Sequence, residues 1–390
     1  VSEPSDASPL AVSHEVQGAP PTPPRSAADD RGDAALRKDE MIQHEQPPRA
    51  KRPDIRFLLK ARFHLLSRWL LLALGLLMLG TSYETASEAS DALTYRPPGR
   101  LINVGGHRLH LHCLGRGGPT VVIDAGLGDW STSWMQVQAL AARTTRVCTY
   151  DRAGMGFSEP GEWPRTAERF AAELHTLLRR AGVEGPYVLA GHSMGGLTVR
   201  VFTRRYPTEV AGVVLIESMS PQPSHAAVVA TSHAPSVSLA WLAARVGLVR
   251  LLAGPLGLTE GMPRHVGPTY LALLATPRYF RTLADETEGL PTSLKQAGAV
   301  TTLGDLPLIV LSRGLNSTPD WQARQARLLQ LSSNSRQFFA RHSGHSIQLD
   351  QPDAAVAAIV DMVEALRSAR PDHDSTRPAR PVVAATEEEV

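Results

Sequence analysis

The stretch PYVLAGHSMGGLTVR, residues 186–200, constrains this chain more than any other. A short apolar run at 187–190 meets Gly191-His192-Ser193-Met194-Gly195, and a helix-compatible segment follows. The G-x-S-x-G pattern fits a serine held on a sharp strand-to-helix turn. Its small residues have a physical task. The serine takes a strained backbone conformation, and only glycine-sized neighbours let strand and helix approach so closely. The turn pushes the Ser193 hydroxyl outward and aims the Met194 N–H, at a helix start, toward any oxyanion that forms there. Five such residues also recur by chance, so flanks and partners must decide.

The flanks alternate strands with helices. Residues 100–104 and 107–114 read as a strand pair joined by Gly105-Gly106, a hairpin turn signal. Further strands are expected at 120–125 (TVVIDA), 145–150, 187–190, 210–216, 306–311 and 335–341; several are continuous apolar runs suited to burial on both faces. Residues 166–181 place Phe170, Leu174, Leu177, Leu178 and Ala181 on one helical face, with Gly182 as a stop. Residues 353–367 close the pattern as a helix. Such alternation predicts an α/β fold, with a mostly parallel sheet flanked by helices, over 100–218 and 304–368. Residues 219–303 break the rhythm. They hold helical patterns such as 238–252 and no convincing strand, which predicts an inserted helical cap. Trp241, Leu242 and Val246 are its candidates for lining an apolar substrate pocket; packing the cap onto the core would explain them equally well.

Residues 1–55 are rich in Pro, Ser, Asp, Arg and Ala without apolar periodicity and read as disordered, as does the tail at 369–390. The first residue is Val1, and Met41 is an alternative start. Arg56, Lys60, Arg62 and Arg68 lead into an uncharged run at 69–83, shorter than the ~20 residues that span a bilayer comfortably. A membrane anchor whose basic flank snorkels ranks slightly ahead of a cleaved signal segment for 56–83, with 84–99 as a linker. Basic residues upstream, and Glu84, Glu88 and Asp91 downstream, put the remainder on the extracytoplasmic side, anchored or secreted. A net charge of +2 gives no footprint for nucleic acid. His110 and His112 share a strand face without further ligands, and two cysteines make no metal cluster. No metal and no cofactor are expected.

Four segments then recur in one order: VVIDAGLG (121–128), YDRAGMGFSEPG (150–161), GHSMGG (191–196) and SGHSIQLDQP (343–352). Through them residues 100–368 resemble the α/β-hydrolase superfamily, most of all bacterial extracytoplasmic members with a short N-terminal hydrophobic segment. The resemblance implies an eight-stranded sheet, a Ser–acid–His triad in that chain order, and an oxyanion hole split between two loops. It maps the nucleophile onto Ser193 and the base onto His345, in the small-residue turn Ser343-Gly344-His345. His342 lacks that turn, and His192 is expected to pack beside the serine. The oxyanion donors become the N–H groups of Met194 and Leu127. Asp151 and Arg152 match a turn whose role is to fix its loop. Two carboxylates compete for the acid. The resemblance favours an acid about three residues past Gly314, where Leu315-Asn316-Ser317 offers none; Asp320 comes three residues later still, and Thr318-Pro319-Asp320 also reads as a helix start, which would explain it. Glu217 ends the buried strand before the cap, where a charge wants an explanation, and it ranks first. Cys113 and Cys148 fall on strands that are neighbours in this superfamily; a disulfide and two buried free thiols are both open.

The expected activity is a cofactor-free serine hydrolase cleaving a carboxylic ester, carboxylesterase- or lipase-like, through an acyl-enzyme. A proline-iminopeptidase-like amide hydrolase is the alternative, with Glu260, Asp285, Glu286 and Glu288 available to hold a substrate amine. The other alternative is a non-catalytic binding protein on the same fold. The partner is then a small ester or amide, with the membrane engaged through 69–83; nothing in the sequence sets the oligomeric state.

Overall fold

Strands whose side chains are apolar on both faces need cover above and below, and here they find it in one eight-stranded sheet. The computed structural model describes residues 55–221 and 237–369; the expected disorder at 1–54 and 370–390, and the alternative start at Met41, lie outside them. The strands are β1 (Arg100–Asn103), β2 (Arg108–Leu114), β3 (Val121–Asp124), β4 (Val147–Tyr150), β5 (Tyr187–His192), β6 (Val210–Ile216), β7 (Leu308–Arg313) and β8 (Ser335–Ala340). Their spatial order is β1-β2-β4-β3-β5-β6-β7-β8, antiparallel at β1–β2 and β2–β4 and parallel elsewhere. The chain runs outward from β3 to β4, then crosses back over β3 to β5. The loops leaving β3 and β5 therefore part, and a crevice opens at the carboxyl ends of these strands, where α/β sheets bind ligands.

Helices α2 (Met135–Ala141), α3 (Ala167–Ala181), α4 (Gly195–Arg205) and α9 (Pro319–Leu328) join the strands, and α10 (Ile347–Asp350) and α11 (Pro352–Ser368) follow the last one. On one face Phe170, Leu174, Leu177 and Leu178 of α3 and Leu197, Val199 and Val201 of α4 pack against Leu189, Val213 and Val310. On the other, Val137 of α2 and Ile359, Met362 and Val363 of α11 pack against Val121, Ile123, Val188 and Val214. Cys113 and Cys148 sit opposite each other in the β2–β4 register and are joined by a disulfide.

The insertion after β6 carries helical residues 237–245 (α5), then α6 (Leu248–Leu252), α7 (Gly267–Leu274) and α8 (Pro277–Gly298). The single helix expected over 238–252 is broken at Gly247, whose backbone is left-handed (φ +72°). Nor is the insertion only a cap: Leu290, Leu294 and Ala297 of α8 belong to the main core, on the α3–α4 face.

The chain divides into two compact units, residues 1–62 and 63–390. Of the first, residues 55–62 are described, and they are helical. Helix α1 (Ile55–Thr94) carries the apolar run, and its most apolar window is unburied throughout. It is long and apolar enough to cross a membrane. The expected linker at 84–99 is a correction: it is helical as far as Thr94. Arg250 of α6 donates to Glu84 (2.9 Å) and Asp91 (2.6 Å), so this length of chain is held by ion pairs rather than left as a tether.

Candidate active site

Ser193 lies between β5 and α4 with φ +50°, a left-handed backbone that costs a residue with a side chain about 1–3 kcal/mol. Tight neighbours hold it there. A Cβ on Gly191 would fall 2.7 Å from the Gly195 carbonyl oxygen, and one on Gly195 would overlap the Asp124 carbonyl at the end of β3. The Ser193 N–H donates to Ile216 O (3.1 Å), and its carbonyl accepts from Met219 N (3.0 Å), which ties the turn to the end of β6.

At the residue directly after that strand end, Glu217, the geometry converges. Ser193 Oγ is 3.1 Å from His345 Nε2, and His345 Nδ1 is 3.2 Å from Glu217 Oε2. A carboxylate only accepts, so Nδ1 carries the proton and Nε2 is left to accept from the serine hydroxyl. Glu217 is wholly buried and itself left-handed (φ +46°). Its Oε1 accepts from the Trp321 indole N–H (2.7 Å) and from Arg313 N (3.2 Å), and the Arg313 guanidinium stands 3.5 Å from Oε2. Asp320 is elsewhere: it pairs with Arg324 on the surface, in the first turn of a helix capped by Thr318, whose hydroxyl accepts from Trp321 N. His342 makes no contact with Ser193; its N–H donates to Gln351. His192 Nε2 donates to the His345 carbonyl (3.0 Å), and burial together with the neighbouring His345 pushes its pKa down to about 3, which keeps it neutral.

The loop after β3 passes against the serine: a Cβ on Gly126 would lie 3.3 Å from Ser193 Cβ. The N–H groups of Leu127 and Met194 make no hydrogen bond to another described residue. Arg152 pins that loop from beneath. It donates to Ala125 O (2.7 Å), to Asp124 (2.7 Å) and to Gly126 O, and its Nε meets Glu286 of α8 at 2.7 Å. Glu286 also accepts from Gly128 N (3.2 Å), so a cap helix holds the loop directly. Asp151 fixes the neighbouring turn, accepting from Ser131 N and Phe157 N (both 2.9 Å) and pairing with His110 (2.9 Å). His110 is thus engaged with a carboxylate and, through Nε2, with the Pro98 carbonyl. Burial works against protonation of His110, but the Asp151 charge and hydrogen bond outweigh it and raise its pKa.

Above Ser193 and His345 is a cavity of about 510 Å³ lined among others by Leu127, Asp129, Met219, Met262, Tyr270 and Tyr279. Trp241, Leu242 and Val246 do not line it, which corrects the pocket expected from sequence. Trp241 and Leu242 are exposed, and Val246 lies against Gly80 of α1. The aromatic wall comes from α7 and α8 instead, with Tyr270 stacked on Trp130 at 4.3 Å. Sequence reasoning also missed Asp129. Its signal was an acid placed directly after Gly126-Leu127-Gly128 in the loop beside the serine. Burial pushes its pKa up to about 6, against hydrogen bonds from Ser133 (2.7 Å) and Trp130. Trp321 left only the faint signal of an aromatic in a helix's first turn.

A family model described as the alpha/beta hydrolase fold matches residues 119–254. The chain is 28% identical over 284 residues to an AB hydrolase superfamily protein of Gibberella zeae, covering 64% of this chain and 87% of that one. It is 27% identical over 256 residues to the protein YqjL of Bacillus subtilis, covering 64% and 86%. Among solved structures it is similar to a thermophilic esterase from Thermogutta terrifontis, with a TM-score of 0.54 and 20% identity over 68% of this chain and 97% of that one.

Proposed function

The chain belongs to the α/β-hydrolase superfamily, and from that premise we propose that it is a membrane-anchored serine hydrolase that cleaves a carboxylic ester. The run Ser193 Oγ–His345 Nε2, His345 Nδ1–Glu217 Oε2 carries the reading. Ser193 Oγ attacks the acyl carbon and its proton passes to His345 Nε2. Buried Glu217 holds Nδ1–H and offsets the imidazolium charge. The tetrahedral oxyanion takes the N–H groups of Leu127 and Met194. Collapse breaks the C–O bond, and the alcohol leaves with the proton from His345. Water, deprotonated by the same imidazole, then releases the acid and restores Ser193. Serine rather than aspartate at this position speaks against epoxide or haloalkane substrates. A serine would be alkylated to an ether, which the His-activated water does not cleave, whereas an aspartate would give a hydrolysable ester.

Anchoring by 69–83, with the domain outside the cytoplasm, is part of the proposal. The ion pairs from Arg250 to Glu84 and Asp91 support retention of α1 over its removal as a signal segment, and the Cys113–Cys148 disulfide fits an oxidising compartment. Asp129 on the cavity wall favours one variant reading, an amide or ester bearing an amine. Of the four cap acids named for that role, Glu286 is committed to Arg152. A fluorophosphonate probe tests the enzyme reading: it should label the wild type and leave Ser193→Ala unlabelled. An unlabelled wild type would turn the reading toward a non-catalytic binding protein. Among substrates, p-nitrophenyl esters of graded chain length should be turned over faster than aminoacyl nitroanilides.

A further inference from the structure

The uncharged run 69–83 rises about 22 Å as a helix, some 8 Å short of a hydrocarbon core of about 30 Å. The last turn of that run is in contact with the insertion. A Cβ on Gly80 would lie 2.6 Å from the Val246 carbonyl oxygen, and one on Gly247 would lie 2.6 Å from the Tyr83 ring. One residue further on, Glu84 is buried and its charge is met by Arg250, which also reaches Asp91 one helical stretch beyond. The turn between α5 and α6 is therefore fixed at the level where the apolar run ends. Around that turn the chain exposes large apolar side chains that a water-facing surface does not call for: Trp241, Leu242, Leu248, Leu251, Leu252 and Leu256, from 37% for Trp241 to 63% for Leu256. Exposed Arg245 and Arg264 outnumber exposed Glu260 in the same stretch, which suits anionic headgroups.

We propose that α5, α6 and the turn after them seat in the bilayer interface beside α1, so that the domain rests on the membrane through its cap instead of hanging from a linker. The proposal rests on the anchoring half of the functional reading and is independent of the ester chemistry. It accounts for the short run: apolar cap side chains at the level of Gly80–Tyr83 fill the interfacial depth that the helix alone leaves uncovered. The cap segment that follows supplies Met262 and Tyr270 to the wall of the Ser193 cavity, so the seat is continuous in sequence with the substrate site. The seat by itself implies a lipophilic substrate dissolved in the bilayer; joined to the ester chemistry, that is a lipophilic ester.

The test uses the full chain reconstituted in vesicles of four parts phosphatidylcholine to one part phosphatidylglycerol. The disulfide leaves no native thiol, so Leu251→Cys takes one environment-sensitive fluorophore, and Ser333→Cys, near the amino-terminal end of β8 and away from the cap, serves as control. At position 251 the emission should shift to the blue, and lipids carrying a nitroxide high on the acyl chain should quench it at least twofold; position 333 should respond to aqueous iodide alone. Iodide quenching at 251 equal to that at 333 would overturn the proposal. Shielding at 251 from both quenchers would overturn it too, since a second copy or another segment of this chain would then cover the face. A chain that fails to float with the vesicles would remove the anchor as well, which separates that failure from the failure of the seat alone.

Discussion

Glu217 shows how a single charge can be afforded in a buried place. Its two oxygens take the Trp321 indole, a backbone N–H, the edge of Arg313 and the His345 ring, so nothing on the carboxylate is left without a partner. Glu217→Gln keeps the volume and loses the charge behind the imidazole. Its kcat should fall roughly 10³–10⁴-fold, while Asp320→Asn, on an exposed helix turn, should stay within about twofold of wild type. Steady-state rates on one p-nitrophenyl ester read both. Near-normal turnover by the Gln variant would remove Glu217 from the mechanism. Asp129 is the opposite case, a carboxylate that burial holds against its ordinary value of 3.8 at about 6. The folded protein binds that proton more tightly than the unfolded chain does, so stability declines as pH rises from about 4 to about 6 and stays reduced above. The full shift corresponds to about 3 kcal/mol at most, and the partial exposure of Asp129 lowers it. Asp129→Asn should therefore be more stable than wild type at pH 7.5 in urea melts, and the advantage should vanish below about pH 4.

Among the elements, β6 and α8 carry the most structural responsibility for the site. The end of β6 turns through a left-handed residue at Glu217, and Ile216 before it and Met219 after it clasp the serine turn. From the insertion, α8 sends Glu286 down to Arg152 and Gly128, which makes the shape of the loop after β3 depend on how the helix is docked. Glu286→Gln weakens the hold on Arg152 and on the Gly128 N–H together. We expect kcat to fall roughly 10–100-fold, with KM changing less and the fluorophosphonate labelling rate falling in parallel. The fold should also lose stability, because Arg152 keeps Asp124 alone as its buried counter-charge. Rates are accordingly read on the folded fraction. An unchanged kcat would confine this helix to architecture.

At the scale of the whole molecule, the hydrolase domain and the outer half of α1 form one piece. Arg250 bridges Glu84 and Asp91 across it, and Gly247 can approach Tyr83 because it has no side chain. In a membrane preparation the chain should resist extraction by alkaline carbonate. A double variant, Leu251→Glu with Leu252→Glu, should hydrolyse soluble p-nitrophenyl acetate as the wild type does. It should act on a long-chain ester presented in vesicles more slowly, on the order of tenfold. Equal rates on the vesicle ester would detach substrate delivery from the cap.

Patterns that depend on near neighbours in the chain were legible in the sequence alone. Apolar runs gave the strands, the 3.6-residue repeat with Gly182 as a stop gave α3, and crowding of small residues gave the turn at Ser193, because each is enforced within a few residues of backbone. The roles of Ser193 and His345, and the rivalry of two acids, came instead through the family resemblance that four short segments carry. Which acid stands behind His345 was another matter. Glu217 and Asp320 lie about a hundred residues apart, and their ranking rested on the oddity of a charge ending a buried strand. Only the three-dimensional arrangement brings the Glu217 carboxylate to Nδ1 and turns Asp320 outward against Arg324. The same holds for the pocket. Helical periodicity marked Trp241, Leu242 and Val246 as apolar but carried no information about what they face; tertiary packing set Val246 beside α1 and left Trp241 and Leu242 exposed, while α7 and α8 took the wall above the serine. Local sequence fixes conformation and the kind of surface a segment presents. Which surfaces meet is decided by packing between residues far apart in the chain, and at Ser193 that packing selects both the partner of the histidine and the shape of the cavity.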